Sequence, residues 1–195
     1  SRGDEGDPEA VAALVAEPAR GGGAALLAAA LAYELEGDRD GQEAALQALR
    51  RASPFLAYPL EALSYLYFDE DDGRSAAEVL AVAVELEPES DLYWTNLGWA
   101  YYLVGQLERS EQASLRALEL DGTQTVAAYN LGLVRTVTGR LEEALPAYQQ
   151  ALRFDPEVND EAILDLQGAL ELYPNVAAVD YALGLLLEAD GRRLA

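Results

Sequence analysis

The chain contains no cysteine, histidine, methionine or lysine, and all thirteen of its basic residues are arginine. Without cysteine there is no disulfide and no thiolate metal site, and cysteine usage says nothing about the redox compartment. Without histidine, cysteine or lysine the usual nucleophile–base pairs, Schiff bases and imidazole metal sites are excluded. The absence of lysine fits an arginine-favouring coding bias and carries no functional meaning. Isoleucine occurs once, at Ile163, and β-branched runs are scarce, which disfavours strands. No apolar run is long enough for a membrane: the longest, "AALLAAALAY" at residues 24–33, spans about half of a bilayer crossing.

What is present is an acidic, Ala- and Leu-rich chain of 195 residues with a formal charge of −22 and 51% apolar residues. That length allows one or two globular domains or one elongated array, and the apolar fraction suffices for a sizeable core. Alanine and leucine favour helix throughout. Nucleic acid is a poor partner, because binding it requires basic surface that releases counterions. An anionic membrane surface is disfavoured by the same sign argument. The charge suits a basic protein or peptide, or else serves solubility alone. The chain lacks an initiating Met and reads as a processed or excised piece.

Several columns recur at a spacing of 34 residues over units 23–56, 57–90, 91–124 and 125–158. A small residue stands in mid-helix at Ala30, Ser64, Gly98 and Gly132, preceded by Ala29, Leu63, Leu97 and Leu131. Three places later come Tyr33, Tyr67, Tyr101 and Arg135, and the turn column reads Gly37, Asp71, Gly105, Gly139. Two further columns read Gln42, Ala76, Ser110, Ala144 and Leu49, Ala83, Ala117, Ala151, and the units close on Pro54, Pro88, Gly122 and Pro156. Each unit holds two amphipathic stretches with apolar spacing of three and four around a Gly- or Asp-centred turn. Neither helix can hide its apolar face alone, so pairs must stack. Gly98 and Gly132 give up helix propensity, about 1 kcal/mol each relative to alanine, to let two helices cross closely.

These columns resemble the tetratricopeptide repeat, whose signature is W-x2-L-G-x2-Y, then A-x3-F, then P, at period 34. Trp94, Leu97, Gly98 and Tyr101 match the first part, Ala144 and Tyr148 approximate the second, and Pro156 supplies the third. The resemblance covers residues 23–195 and is weakest in the first unit, where Gln42 and Leu49 replace small residues. It implies an all-α, right-handed superhelical solenoid of stacked antiparallel helix pairs. Helices are expected near 24–36, 41–51, 58–69, 75–86, 92–104, 107–120, 126–138, 141–154, 160–172 and 177–189, with no strand. Residues 1–22 read as a short N-terminal helix and flexible linker ahead of the solenoid.

The period breaks after Pro156. "DEAILDLQGALELYP" (160–174) aligns with a second half-unit, and "AAVDYALGLLLEADG" (177–191) with a first, placing Gly184 in the glycine column. Either residues 159–176 are a true half-unit before a partial unit 177–195, or about sixteen residues are absent between Val158 and Asn159. The phase kept on both flanks favours the second reading. "GRRLA" then begins a second helix and stops.

The acidic turn "FDEDDGR" (68–74) has its glycine fifth from Asp69 where an EF-hand needs it sixth, and "EGDRDGQEAALQ" (36–47) puts Gly41 sixth but opens with Glu and ends with Gln47; both coincide with turns that the repeat demands. They read as solvated turns, so neither metal nor cofactor is expected. The resemblance implies that first helices line a concave surface that binds peptides. Its inward columns carry Tyr58, Tyr65 and Phe68, then Asn96, Trp99 and Tyr102, then Tyr129, Asn130 and Leu133, and later Tyr181 and Leu185. Aromatic rings with spaced amides suit a peptide's side chains and backbone, although the same rings could fill the inter-helix core. Family members that clamp acidic chaperone tails do so with Lys and Arg in these columns. Here they hold Glu61, Tyr65, Thr95, Trp99 and Val126, with Asn130 the lone match, so a carboxylate clamp is excluded.

The function expected is a non-enzymatic protein-interaction scaffold. Its partner is a protein or peptide with basic residues flanking an apolar anchor, not nucleic acid and not a membrane. The alternative is a self-association or docking module of a larger protein, with a homodimer through the incomplete end helices. A soluble, cytoplasmic protein is expected, with export after removal of a signal segment as the alternative.

Overall fold

The computed structural model describes residues 18–155, 160–172 and 177–189. Among them are ten α-helices and no strand: α1 (Pro18–Glu36), α2 (Arg39–Ala52), α3 (Tyr58–Asp69), α4 (Gly73–Leu86), α5 (Asp91–Leu103), α6 (Leu107–Leu120), α7 (Thr125–Val137), α8 (Leu141–Phe154), α9 (Asp160–Leu172) and α10 (Ala177–Ala189). Helix ends fall within two residues of those expected, except that α1 begins at Pro18 and breaks at Gly22, whose φ is 66°. Residues 1–17, which hold most of the expected N-terminal helix, and the 158–159 junction lie outside the described residues.

The chain divides at Pro88 into two compact units. In the first, α1 packs on α2, α2 on α3 and α3 on α4; in the second, α5 pairs with α6, α6 packs on α7, and α7 pairs with α8. Every pair is antiparallel because the turn column reverses the chain at once. Gly37, Gly105 and Gly139 take φ of 71°, 74° and 78°, and Asp71 takes 57°. In each turn the next amide donates back five residues to a first-helix carbonyl: Asp38 to Tyr33, Asp72 to Tyr67, Gln106 to Tyr101 and Arg140 to Arg135, at 2.7–2.9 Å. This left-handed helix ending satisfies carbonyls that the helix leaves open.

Small residues set the spacing within each pair. Ala76, Ser110 and Ala144, and again Ala83, Ala117 and Ala151, are fully buried. In the α5–α6 pair a side chain added at Gly98 would meet Ser114 Oγ at 2.9 Å, and Ser110 Oγ donates to the Gly98 carbonyl at 2.7 Å. In the α7–α8 pair Gly132 lies under the Tyr148 ring, which an added Cβ would meet at 2.5 Å. That ring is buried, and its hydroxyl is 3.1 Å from Thr136 Oγ1. Burial, the leading cause, pushes the Tyr148 hydroxyl pKa well up. The first pair departs from the column: Leu49 replaces the small residue and is buried, and a Cβ built at Gly23 would lie 3.1 Å from Ser53 Oγ and in ordinary contact, 3.6 Å, with the Leu49 side chain.

Charge reinforces one junction. Glu111 of α6 binds Arg135 of α7 at 2.8 Å and Arg140, just before α8, at 2.7 Å. The hydrogen bond from Arg140 leads in holding the Glu111 carboxyl below its ordinary pKa.

The glycine column separates packing from propensity. Among the described residues nothing lies within 4 Å of a Cβ built at Gly184. Gly184→Ala is therefore expected to raise stability by up to about 1 kcal/mol, the helix-propensity difference. Gly132→Ala is expected to lose about 1–3 kcal/mol, because the pinned Tyr148 ring cannot yield. Urea unfolding of both variants checks this, and a gain at Gly132 would reject the close-crossing account.

Candidate functional site

In the first unit a cleft of about 490 Å³ opens along α1, α2 and α3. Glu34 comes from the last turn of α1, Gly37 from the turn that follows, Arg39 and Gln42 from the start of α2, and Tyr58, Glu61, Tyr65 and Asp69 from one face of α3. Positions 58, 61, 65 and 69 are three to four residues apart, so the helix aligns them. Tyr58 and Tyr65 are 37% and 48% exposed, where a core ring would be closed. Phe68, the third ring expected here, is half-buried and does not line the cleft.

The cleft's charges are unevenly matched. Arg39 holds Asp69 at 2.6 Å. Glu61 accepts only a long 3.5 Å hydrogen bond from Tyr65, and no arginine among the described residues pairs with Glu34 or Glu61. Burial foremost, with Glu87 nearby, pushes the Glu61 carboxyl pKa up. Burial and then the carboxylates Glu34 and Glu61 push the Tyr58 hydroxyl up.

In the second unit the expected residues divide. Asn96, Trp99 and Tyr102 on α5 are half-buried, and the Trp99 and Tyr102 rings stack with centroids 5.3 Å apart. Tyr129, Asn130 and Leu133 on α7 are buried, at 6%, 5% and 3% exposure. Asn130 Nδ2 donates to the Thr95 carbonyl at 3.4 Å, joining α7 to α5. Over Tyr129 and Leu133 lie Ala162, Asp165 and Leu166 of α9, which leave a gap of about 10 Å³. Among the described residues α9 packs on α7 and α10, and α10 packs on both α7 and α8. Tyr181 stays 54% exposed on α10. It borders an open cleft of about 430 Å³ with Leu185 and Glu188 of α10 and Leu145, Gln149 and Leu152 of α8. The sequence reading missed these α8 residues because it sought a site on first helices only. Their i, i+4, i+7 spacing was the available signal.

Among the described residues no three His, Cys, Asp or Glu side chains are placed to hold a metal ion. No described helix is long and apolar enough to cross a membrane. The two units thus present helix-pair repeats with aromatic and carboxylate side chains on their first helices.

The architecture is that of an all-α helix-pair repeat protein. Tetratricopeptide-repeat patterns match residues 61–125 and 126–158, together half of the chain, and the chain belongs to the tetratricopeptide-repeat family. It is similar to small glutamine-rich tetratricopeptide repeat-containing protein 2 of Mycosarcoma maydis, 32% identical over 85 residues, which are 44% of this chain. The match spans only 24% of that curated relative's length. A crystal structure of MamA superposes with a TM-score of 0.70 over 87% of this chain and 92% of that one, at 24% identity, a likeness of fold. The second repeat domain of human RPAP3, solved in complex with an HSP70 peptide, superposes with a TM-score of 0.51 over 58% of this chain and 93% of that domain, at 25% identity.

The mismatch at Glu61 has a measurable sign. Its folded pKa is raised, so its stabilising contribution is complete below the unfolded value and is lost as pH rises through the folded one. Glu61→Gln should therefore gain more stability over the parent at pH 7 than at pH 3.5. Melting curves at both pH values test this, and an equal difference would refute the buried-carboxylate account.

Proposed function

We propose that the chain is a non-enzymatic scaffold that binds a peptide or protein segment on the first-helix faces of its repeats. The carrying observation is that Tyr58 and Tyr65 in one unit are exposed, and that the Trp99–Tyr102 stack in the other is only half-buried, in columns that the family turns toward a ligand. Aromatic rings offer large contact area at little cost in side-chain entropy, and amides such as Asn96 can reach a peptide backbone. Family membership, and the RPAP3 domain solved with a peptide, support this mode.

The RPAP3 peptide, SGPTIEEVD, is acidic, and its chemistry does not transfer. The columns that would have to hold an acidic tail carry Glu61, Tyr65, Thr95, Trp99 and Val126. With a net charge of −22, this chain suits a segment with an apolar anchor flanked by arginine or lysine. The anchor would supply affinity and the charges would steer encounter. Tyr129, Asn130 and Leu133, buried beneath neighbouring helices, would support this surface from behind rather than touch the ligand.

A second reading rests on the α8–α10 cleft. Tyr181, together with Leu164 and Leu172 on α9 at 62% and 72% exposure, gives the terminal helices apolar surface suited to a second copy or a neighbouring domain. Light scattering after size exclusion separates the readings, since self-association predicts a mass that doubles with concentration.

Trp99→Ala tests the main reading at its most central ring. The affinity of a bound peptide should fall by about 2 kcal/mol or more, the cost of a hot-spot residue. Thermal stability should change by less than the roughly 3–5 kcal/mol of a core aromatic. Lost stability with unchanged affinity per folded molecule would remove Trp99 from the site. At 1 M salt, where the Debye length is about 3 Å, association should slow while the anchor's contribution persists.

A further inference from the structure

The cleft along α1 and α3 is more specific than an aromatic patch. Two tyrosine rings and two carboxylates that have no basic partner among the described residues border one space of about 490 Å³, within the usual range of ligand sites, roughly 300–1,000 Å³. We propose that this cleft is the seat of one arginine side chain of the bound segment, its guanidinium set between Glu34 and Glu61 and against the rings of Tyr58 and Tyr65. This deepens the peptide-binding reading above and rests on it.

Three observations carry the assignment. First, the third carboxylate of the cleft, Asp69, already holds a guanidinium, that of Arg39, at 2.6 Å. The same wall thus shows the pairing that Glu34 and Glu61 lack. Second, the chain's own Arg109 shows how a guanidinium meets such a ring. It lies 4.1 Å from the centre of the Tyr101 ring while donating to the Tyr101 hydroxyl at 2.5 Å. A planar cation that both stacks and donates is matched by rings beside carboxylates, whereas a compact ammonium uses the rings less well. Third, Glu61 is partly buried with only a long tyrosine hydrogen bond, an environment that costs stability unless a cation enters. An apolar occupant would leave both carboxylates uncompensated, and an acidic one would be repelled.

The test uses the full chain and a random dodecapeptide phage library. The parent protein should enrich peptides that carry an arginine together with an apolar anchor. The double variant Glu34→Gln with Glu61→Gln, nearly isosteric and relieved of two negative charges, should enrich the anchor without the arginine. A synthetic peptide from the parent selection is then compared with its arginine-to-citrulline form, which keeps shape and loses charge. On the parent, citrulline should weaken binding at least tenfold; on the double variant, the two peptides should bind within about twofold of each other. An equal citrulline penalty on both proteins overturns the assignment, because the arginine is then read elsewhere. Enrichment of lysine in place of arginine overturns the guanidinium assignment. Enriched anchors with no basic position overturn the cation site while leaving peptide binding standing, and enrichment of no peptide by the parent overturns both.

Discussion

Everything in this molecule depends on how closely the two helices of a pair can approach. The approach is set by fully buried small residues on the second helix, Ala76, Ser110, Ala144 and their partners seven residues on. It is also set by the matching gaps on the first helix at Ser64, Gly98 and Gly132. Where a large ring enters a pair, the partner shrinks: Gly132 makes room for Tyr148 in the fourth. A fixed separation and a turn fixed by positive φ make each pair a repeatable solid, and stacking follows because each pair leaves apolar surface on its flank.

That constraint explains which parts were legible in the sequence. Helix positions were readable because the 34-residue columns are packing columns, and packing tolerates few residue types. The turn column was readable because a backbone at φ near 70° selects glycine, with Asp71 as the one exception. Less legible was the fate of individual rings. Tyr129 and Tyr65 both lie on first helices in inward columns, yet one is 6% exposed and the other 48%. What separates them is the covering helix: Ala162, Asp165 and Leu166 of α9 lie over Tyr129, and α9 belongs to the stretch where the period fails. A periodic argument has no purchase on an element that breaks the period. Glu34 and Glu61 lie on different first helices, 27 residues apart in the chain, and only the fold brings both carboxylates beside Tyr58 and Tyr65.

The arginines complete the electrostatic picture. With thirteen of them against thirty-five acids, their placement decides which carboxylates stay unmatched. Several are committed internally: Arg135 and Arg140 to Glu111, Arg39 to Asp69, Arg116 to Glu119, and Arg109 to Tyr101. The Glu111 cluster sits at a helix junction and is part of the scaffold, as its lowered carboxyl pKa indicates. Glu61 shows the opposite, a carboxyl raised by burial beside an open cleft. Among the described residues the lowered Glu111 carboxyl thus belongs to a helix junction, whereas the raised Glu61 carboxyl borders the cleft along α1 and α3.

Repetition also means that the same column can be core in one pair and surface in another. Trp99 and Leu133 occupy the same column 34 residues apart, yet Trp99 is half-buried while Leu133 is 3% exposed beneath the terminal helices. The residue type does not choose between these outcomes, since either side chain could be buried. The helix that comes next chooses. In a stack of this kind each added helix converts part of the preceding face from open surface into core, and the break after the fourth pair places α9 over the α7 rings. The position of that break, more than the identity of any one aromatic, sets which rings of the first-helix face are covered.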